Sequence, residues 1–131
     1  MQFDSAQPIW LQLVDEFSRR IAAGEWRAGA RISPVRELAS ELTVNPNTVQ
    51  RAFAELERDG VVRSERTAGR FVTDDAAQIL SLRRRLAAAA ADDFARRSLG
   101  VGLSLSDAQT LLAERWNHDH DRTEGSVRAA G

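Results

Sequence analysis

Ser33-Pro34-Val35-Arg36-Glu37-Leu38-Ala39-Ser40-Glu41-Leu42-Thr43-Val44-Asn45-Pro46-Asn47-Thr48-Val49-Gln50-Arg51-Ala52-Phe53 contains one device twice: a side chain able to cap a helix, then a proline suited to the first helical position. After the first, Val35, Leu38, Ala39 and Leu42 fall on one face of a short helix. After the second, Val49, Ala52, Phe53 and Leu56 do the same, and the helix ends near Asp59 and Gly60. Only the tight turn at Thr43 and Val44 lies between them. Two helices joined this closely predict a helix-turn-helix.

The flanking segments extend the pattern. Upstream, Ile9, Trp10, Leu13, Val14, Phe17 and Ile21 recur at three- and four-residue spacings, predicting an amphipathic helix from Pro8 to Ala23 that stops at Gly24. Gly24 to Ile32 reads as a turn leading into a short extended piece at Arg31 and Ile32. Downstream, Val61 and Val62 open a strand to about Arg66, and Phe71 and Val72 lie on a returning strand, with Thr67, Ala68 and Gly69 between. The predicted fold is mainly α with a small β-hairpin, a winged helix-turn-helix spanning residues 1–73.

Beyond Thr73 the pattern changes. Asp75 with Gln78 suggests a capped start, and no proline follows, so a helix can run from Ala76 to Leu99, about 36 Å, with Gly100 as its stop. Ile79, Leu82, Leu86, Ala90 and Phe94 lie along one side of it. Ser106 with Gln109 suggests a second capped start, opening a helix in which Ala108, Leu111, Leu112 and Trp116 share a face. Residues 74–116 therefore read as a two-helix C-terminal dimerisation appendage, its seam formed by Ile79, Leu82, Leu86, Ala90, Phe94, Leu111, Leu112 and Trp116. Residues 117–131 are polar and aperiodic and read as a disordered tail. Two helices enclose too little space for a small-molecule effector pocket within one subunit.

The composition excludes much else. The chain has 131 residues, 43% of them hydrophobic, enough for a modest core. It has no cysteine and no tyrosine, and histidine occurs only at positions 118 and 120, so thiol nucleophiles, disulfides, zinc-finger ligand sets and histidine triads are ruled out. His118, Asp119, His120 and Asp121 look like metal ligands but fall in the expected tail, so neither a metal nor another cofactor is expected. The longest uncharged apolar run, Leu86 to Ala91, is far shorter than the roughly 20 residues a bilayer requires, which points to a soluble cytoplasmic protein without a membrane partner. Net charge is −1, and cations and anions cancel over residues 1–73, so only their local segregation carries information.

Positive charge gathers at the hairpin tip, where Arg63, Arg66 and Arg70 stand against Glu65, and the second helix of the pair carries a signal of its own. With Val49 facing inward, Asn47, Arg51, Ala54 and Arg58 point outward, flanked by Thr48 and Gln50, and no acid lies between Leu42 and Ala54. Amides and guanidinium groups read adenine and guanine edges in the major groove, and Gln50 and Arg51 are the expected base readers. A polar helix face is ordinarily just solvated; its place as second helix of the pair favours nucleic acid. Phosphates can dock at the two helix starts, near Ser33, Arg36, Asn45 and Asn47. In the hairpin, Gly69 permits close backbone approach, and Arg66 or Arg70 can reach the minor groove or its flanking phosphates. The rival reading is a winged-helix protein-interaction module, which the neutral charge of residues 1–73 favours.

With these residues in view, the chain resembles the GntR family of bacterial transcription regulators, and within it the small YtrA-like subfamily. The resemblance runs from Pro8 to Val72: Pro8-Ile9-Trp10, Gly24-Glu25-Trp26-Arg27-Ala28-Gly29, Val35-Arg36-Glu37-Leu38-Ala39, Asn45-Pro46-Asn47-Thr48-Val49-Gln50-Arg51-Ala52, and Gly69 before Phe71-Val72. It implies a dimer on a double-stranded operator, with Arg36, Asn47, Thr48, Gln50 and Arg51 contacting bases or phosphates and Gly69 at a wing tip entering the minor groove. It also implies a short dimerising appendage in place of an effector domain, and transporter operons as common targets. Three departures stand out: Ser33-Pro34 in place of Pro-Ser, Thr43 where glycine is common, and Thr67-Ala68-Gly69-Arg70 where the wing usually carries a second glycine.

Overall fold

The computed structural model describes the backbone of residues 1–130 and the side chains of residues 1–119. Five helices and one hairpin follow in order: α1 (Ile9–Ala22), α2 (Val35–Leu42), α3 (Pro46–Arg58), β1 (Val62–Glu65), β2 (Gly69–Val72), α4 (Ala76–Gly100) and α5 (Leu105–Ala130). The chain divides into two compact units, Met1–Ala87 and Ala88–Gly131. No helix among the described residues is long and apolar enough to cross a membrane.

The first unit is the winged helix-turn-helix. Its core joins Leu13, Phe17 and Ile21 of α1 to Leu38, Ala39 and Leu42 of α2 and to Val49, Ala52, Phe53 and Leu56 of α3. Phe17 stacks on Phe53 with ring centroids 5.0 Å apart, and Trp26 lies 5.1 Å from Phe17, so the loop after α1 is pinned by its one indole. Between α2 and α3 the chain turns through Thr43, at φ 57° and ψ 50°, while the Val44 amide donates to the Ala39 carbonyl at 2.9 Å. The left-handed turn is thus kept despite a β-branched residue, the only non-glycine with positive φ among the described residues.

Of the two expected caps in this pair of helices, one forms and one does not. Asn45 caps α3, its Oδ1 accepting from the Asn47 amide at 2.8 Å. Ser33 does not cap α2: Pro34 occupies the cap position, at φ −56° and ψ 150°, and no side chain closes that end. A proline there starts the helix one residue later and carries no side-chain acceptor, which places the Ser33 hydroxyl outside capping register.

The hairpin pairs Val62 with Val72, Arg63 with Phe71, Ser64 with Arg70 and Glu65 with Gly69. Residues 66–68 form its turn, so Gly69 begins β2 and is not the tip. Arg31 bridges Phe71 on the other side of β2, with the Ile32 amide donating to the Arg70 carbonyl and the Val72 amide to that of Ala30, both at 2.9 Å. The short extended piece thereby acts as a third strand segment.

The expected dimer seam is divided by this structure. Asp75 caps α4, its Oδ1 accepting from the Ala77 amide at 2.9 Å. Leu82, however, is 1% exposed and belongs to the core of the first unit, and Ile79 is buried at 8% exposure. Arg83 donates to the Ala22 carbonyl at 2.9 Å and Arg85 lies 3.7 Å from Asp59, so the opening turns of α4 close over the head. Apolar periodicity reports that a face is buried, not by what.

In the second unit Ser98 and Ala108 are buried and Phe94 is half-buried. The cap of α5 is Ser104, whose Oγ accepts from the Asp107 amide at 3.1 Å, two residues before the expected Ser106. α5 continues to Ala130, so helix occupies 117–130 where the sequence reading expects disorder. No proline interrupts it, and a nucleated helix gains one hydrogen bond for each residue added. Gly131, and the side chains of His120 and Asp121, lie outside the described residues. Among the described residues no cluster of acids and histidines is able to hold a metal ion.

Candidate nucleic-acid interface

α3 is polar on one side because the other side is the core. Val49, Ala52, Phe53 and Leu56 are fully buried, which forces Asn47, Gln50, Arg51, Ala54 and Arg58 outward, while Thr48 is half-buried. The face is thus delivered by packing, as expected. Arg58 pairs with Glu55 at 2.9 Å, a contact along the helix.

Arg51 is not simply solvated. Its guanidinium carbon lies 4.1 Å from the centroid of the Trp10 ring on α1, a cation–π contact. Trp10 thus forms a platform under the Arg51 side chain, a contact the α1 spacing alone could not separate from core packing. Arg36 near the start of α2 and Arg66 in the hairpin turn are exposed. Ion pairs of the first unit engage Arg19, Arg20, Arg58, Arg63, Arg70 and Arg85; Arg36, Arg51 and Arg66 stay outside those found among the described residues.

Arg70 is placed differently from expectation. It leaves the hairpin and turns back onto α3, where Nε donates to Glu57 Oε1 at 2.7 Å and Nη2 donates to Gln50 Oε1 at 2.6 Å. Its guanidinium also lies 5.0 Å from the Phe53 ring. The reason is Glu57: burial works to raise the pKa of this carboxyl, but the Ser64 hydroxyl and the Arg70 guanidinium outweigh it and hold the group below its ordinary range. Arg63, the neighbour on β1, pairs with Glu65 and lies 5.0 Å from the Phe71 ring. Of the hairpin cations singled out from sequence, Arg66 alone stands in the turn.

Arg31 was not among the expected site residues. Its guanidinium packs flush on Gly69, where a Cβ would meet Arg31 Nε at 3.2 Å, and Gly69 itself has φ 102°. The positive φ calls for glycine, and a side chain there would also have to shift Arg31 by a few tenths of an ångström. A cavity of about 130 Å³ opens beside them, lined by Arg31, Ile32, Ser33, Pro34, Val35, Gly69 and Arg70. Ser33 thus faces the space between the start of α2 and the hairpin. The only sequence signal for Arg31 was its extended dipeptide, and the bridge to Phe71 is a long-range contact that no local pattern encodes.

Residues 10–72 match the family model for bacterial regulatory proteins of the gntR family. The chain is 35% identical over 103 residues to the uncharacterized HTH-type transcriptional regulator YhcF of Bacillus subtilis, covering 79% of this chain and 85% of that one. It is also 35% identical over 72 residues to the HTH-type transcriptional repressor YtrA of the same organism, covering 55% of each. Among solved structures, a GntR family transcriptional regulator from Listeria monocytogenes superposes with a TM-score of 0.73 at 32% identity, over 86% of this chain and 98% of that one. Fold, outward-facing α3 and relatives agree, and the chain belongs to the GntR family of DNA-binding transcription regulators.

Proposed function

We propose that this chain acts as a homodimeric repressor on a pseudo-palindromic double-stranded operator, each copy laying α3 in a major groove. The observation that carries the reading is the outward face of α3: Asn47, Gln50 and Arg51 exposed in an acid-free run, with Arg36 and Arg66 unpaired nearby. Bases are read by α3, chiefly Gln50 and Arg51; phosphates are held by Arg36, Arg66 and the starts of α2 and α3, with Ser33, Asn45, Asn47 and Thr48 beside them. Half-sites lie about one helical turn apart, or more. Leu86, Leu111, Leu112 and Trp116 are all exposed in the single chain, Trp116 to 69%, which supports their burial against a second copy. The YtrA-like resemblance favours transporter operons as targets.

Selecting bound duplexes from a random pool tests this reading, because the recovered motif reports base preference and half-site spacing together. Arg51→Ala should lower operator affinity by about 1 to 3 kcal/mol and random-duplex affinity by less. Equal losses on both duplexes would remove Arg51 as a base reader. Failure to bind any duplex at low salt would replace the whole reading with a protein-interaction module.

A further inference from the structure

We infer that Arg70 is a positioning residue that fixes the Gln50 carboxamide as a hydrogen-bond donor, so that α3 selects guanine over adenine at the base Gln50 reaches. This deepens the operator reading above and rests on it. The argument begins with what each group can do. A guanidinium has five N–H donors and no acceptor, so the amide atom 2.6 Å from Arg70 Nη2 must be the Gln50 oxygen, whichever way an amide might otherwise be turned. Arg70 is itself held from three sides: Glu57 accepts from its Nε, its guanidinium carbon lies 5.0 Å from the Phe53 ring centroid, and β2 carries its backbone.

A free glutamine reads adenine with both ends of its amide, the NH2 donating to N7 and the oxygen accepting from the N6 amino group. Here the oxygen is engaged by Arg70, and the NH2 is the end left over. With one of that oxygen's two lone pairs taken by Arg70, Gln50 and Arg70 together present mainly N–H groups. Guanine offers two acceptors in the major groove, N7 and O6, whereas adenine would set its own N6 donor against them. The hairpin thus acts on specificity through α3, without touching a base.

The test uses the full chain. Selection with wild type and with Gln50→Ala identifies the base pair whose preference Gln50 controls. Fluorescence anisotropy then compares guanine and adenine duplexes at that position for wild type, Arg70→Met and Glu57→Gln. Wild type should favour guanine fivefold or more. Arg70→Met should shrink this below twofold or reverse it while preferences elsewhere hold, and Glu57→Gln should lower it in part. If Arg70→Met does not fold, by circular dichroism, Glu57→Gln decides. A guanine preference unchanged by these variants overturns the inference, as does a uniform loss of affinity on every duplex, an adenine preference in wild type, or a Gln50→Ala motif identical to wild type. A wild-type chain that selects no motif overturns the operator reading itself, before any variant is compared.

Discussion

Trp10→Leu is the perturbation that best separates a preorganised Arg51 from a merely exposed one. The Arg51 guanidinium sits 4.1 Å from the indole centroid, close enough for a cation–π attraction of about 0.5 to 1 kcal/mol at a half-exposed site. Leucine retains apolar bulk on α1 but lacks the ring face. Arg51 would then regain rotamer freedom, of which an arginine side chain has about 2 kcal/mol in all, and only part is restrained by one stacking partner. The expected loss of operator affinity is therefore about 0.5 to 1 kcal/mol, or roughly two- to fivefold. Anisotropy titrations of wild type, Trp10→Leu, Arg51→Ala and the double variant form a closed cycle. If Trp10 works through Arg51, the double variant binds no worse than Arg51→Ala alone. Strictly additive losses, or a Trp10→Leu chain that binds as wild type, would refute the platform role.

Other expectations concern stability and assembly. Thr43→Gly should stabilise the first unit by about 1 kcal/mol, because a β-branched residue at φ 57° is replaced by one without a Cβ penalty; an unchanged or lower melting temperature would contradict this. The Glu16 carboxyl, held chiefly by its hydrogen bond to Arg19 and also by Arg20 against the cost of burial, has its pKa lowered from 4.5 to about 2. Its stabilising contribution is present above about pH 4.5 and is lost as pH falls toward 2. With Arg19 half exposed, urea denaturation should show wild type losing about 1 to 2 kcal/mol more than Glu16→Gln across that window, and parallel curves would discount the pair. Leu82→Ala should destabilise the first unit by about 2 to 5 kcal/mol with oligomeric state unchanged, whereas Leu86→Glu should leave stability nearly intact and shift sedimentation toward monomer. The opposite assignment of the two effects would return Leu82 to the seam.

The helices and the hairpin were legible because their signals are local. The stripes in α1, α2 and α3, the Asn45-Pro46 start and the turn at Thr43 are each written within a few residues. The face of α3 was legible for the same reason, since four buried positions dictate where Gln50 and Arg51 point. What failed was partner identity. Leu82 had the spacing of a buried face, and nothing in that spacing separates a second subunit from the underside of the same head. Arg70 read as a wing cation because its partners Glu57 and Gln50 are 13 and 20 residues away. Ser33 read as a cap because cap signatures carry an uncertainty of a residue or so, and Pro34 took the position instead.

The neutral charge of residues 1–73, which favoured a protein partner on sequence grounds, loses that force once pairing is resolved. Glu16 and Glu25 are engaged by Arg19, Glu55 by Arg58, Glu57 by Arg70 and Glu65 by Arg63. Each such pair has little field at a distance, because the opposite charges lie about 3 Å apart or less and the solvent screens what remains over roughly 10 Å at 0.1 M salt. The cations left outside these pairs include Arg36, Arg51 and Arg66, at the start of α2, on the outward face of α3 and in the hairpin turn. A polyanion meeting this unit encounters the unpaired charges, not the sum. Net charge counts every group equally; attraction for phosphate depends on which groups remain unneutralised and on the face they share. A neutral head with these five of its ten acids held in internal pairs is therefore compatible with salt-dependent DNA binding, and Arg36, Arg51 and Arg66 are among the arginines left to meet a phosphate.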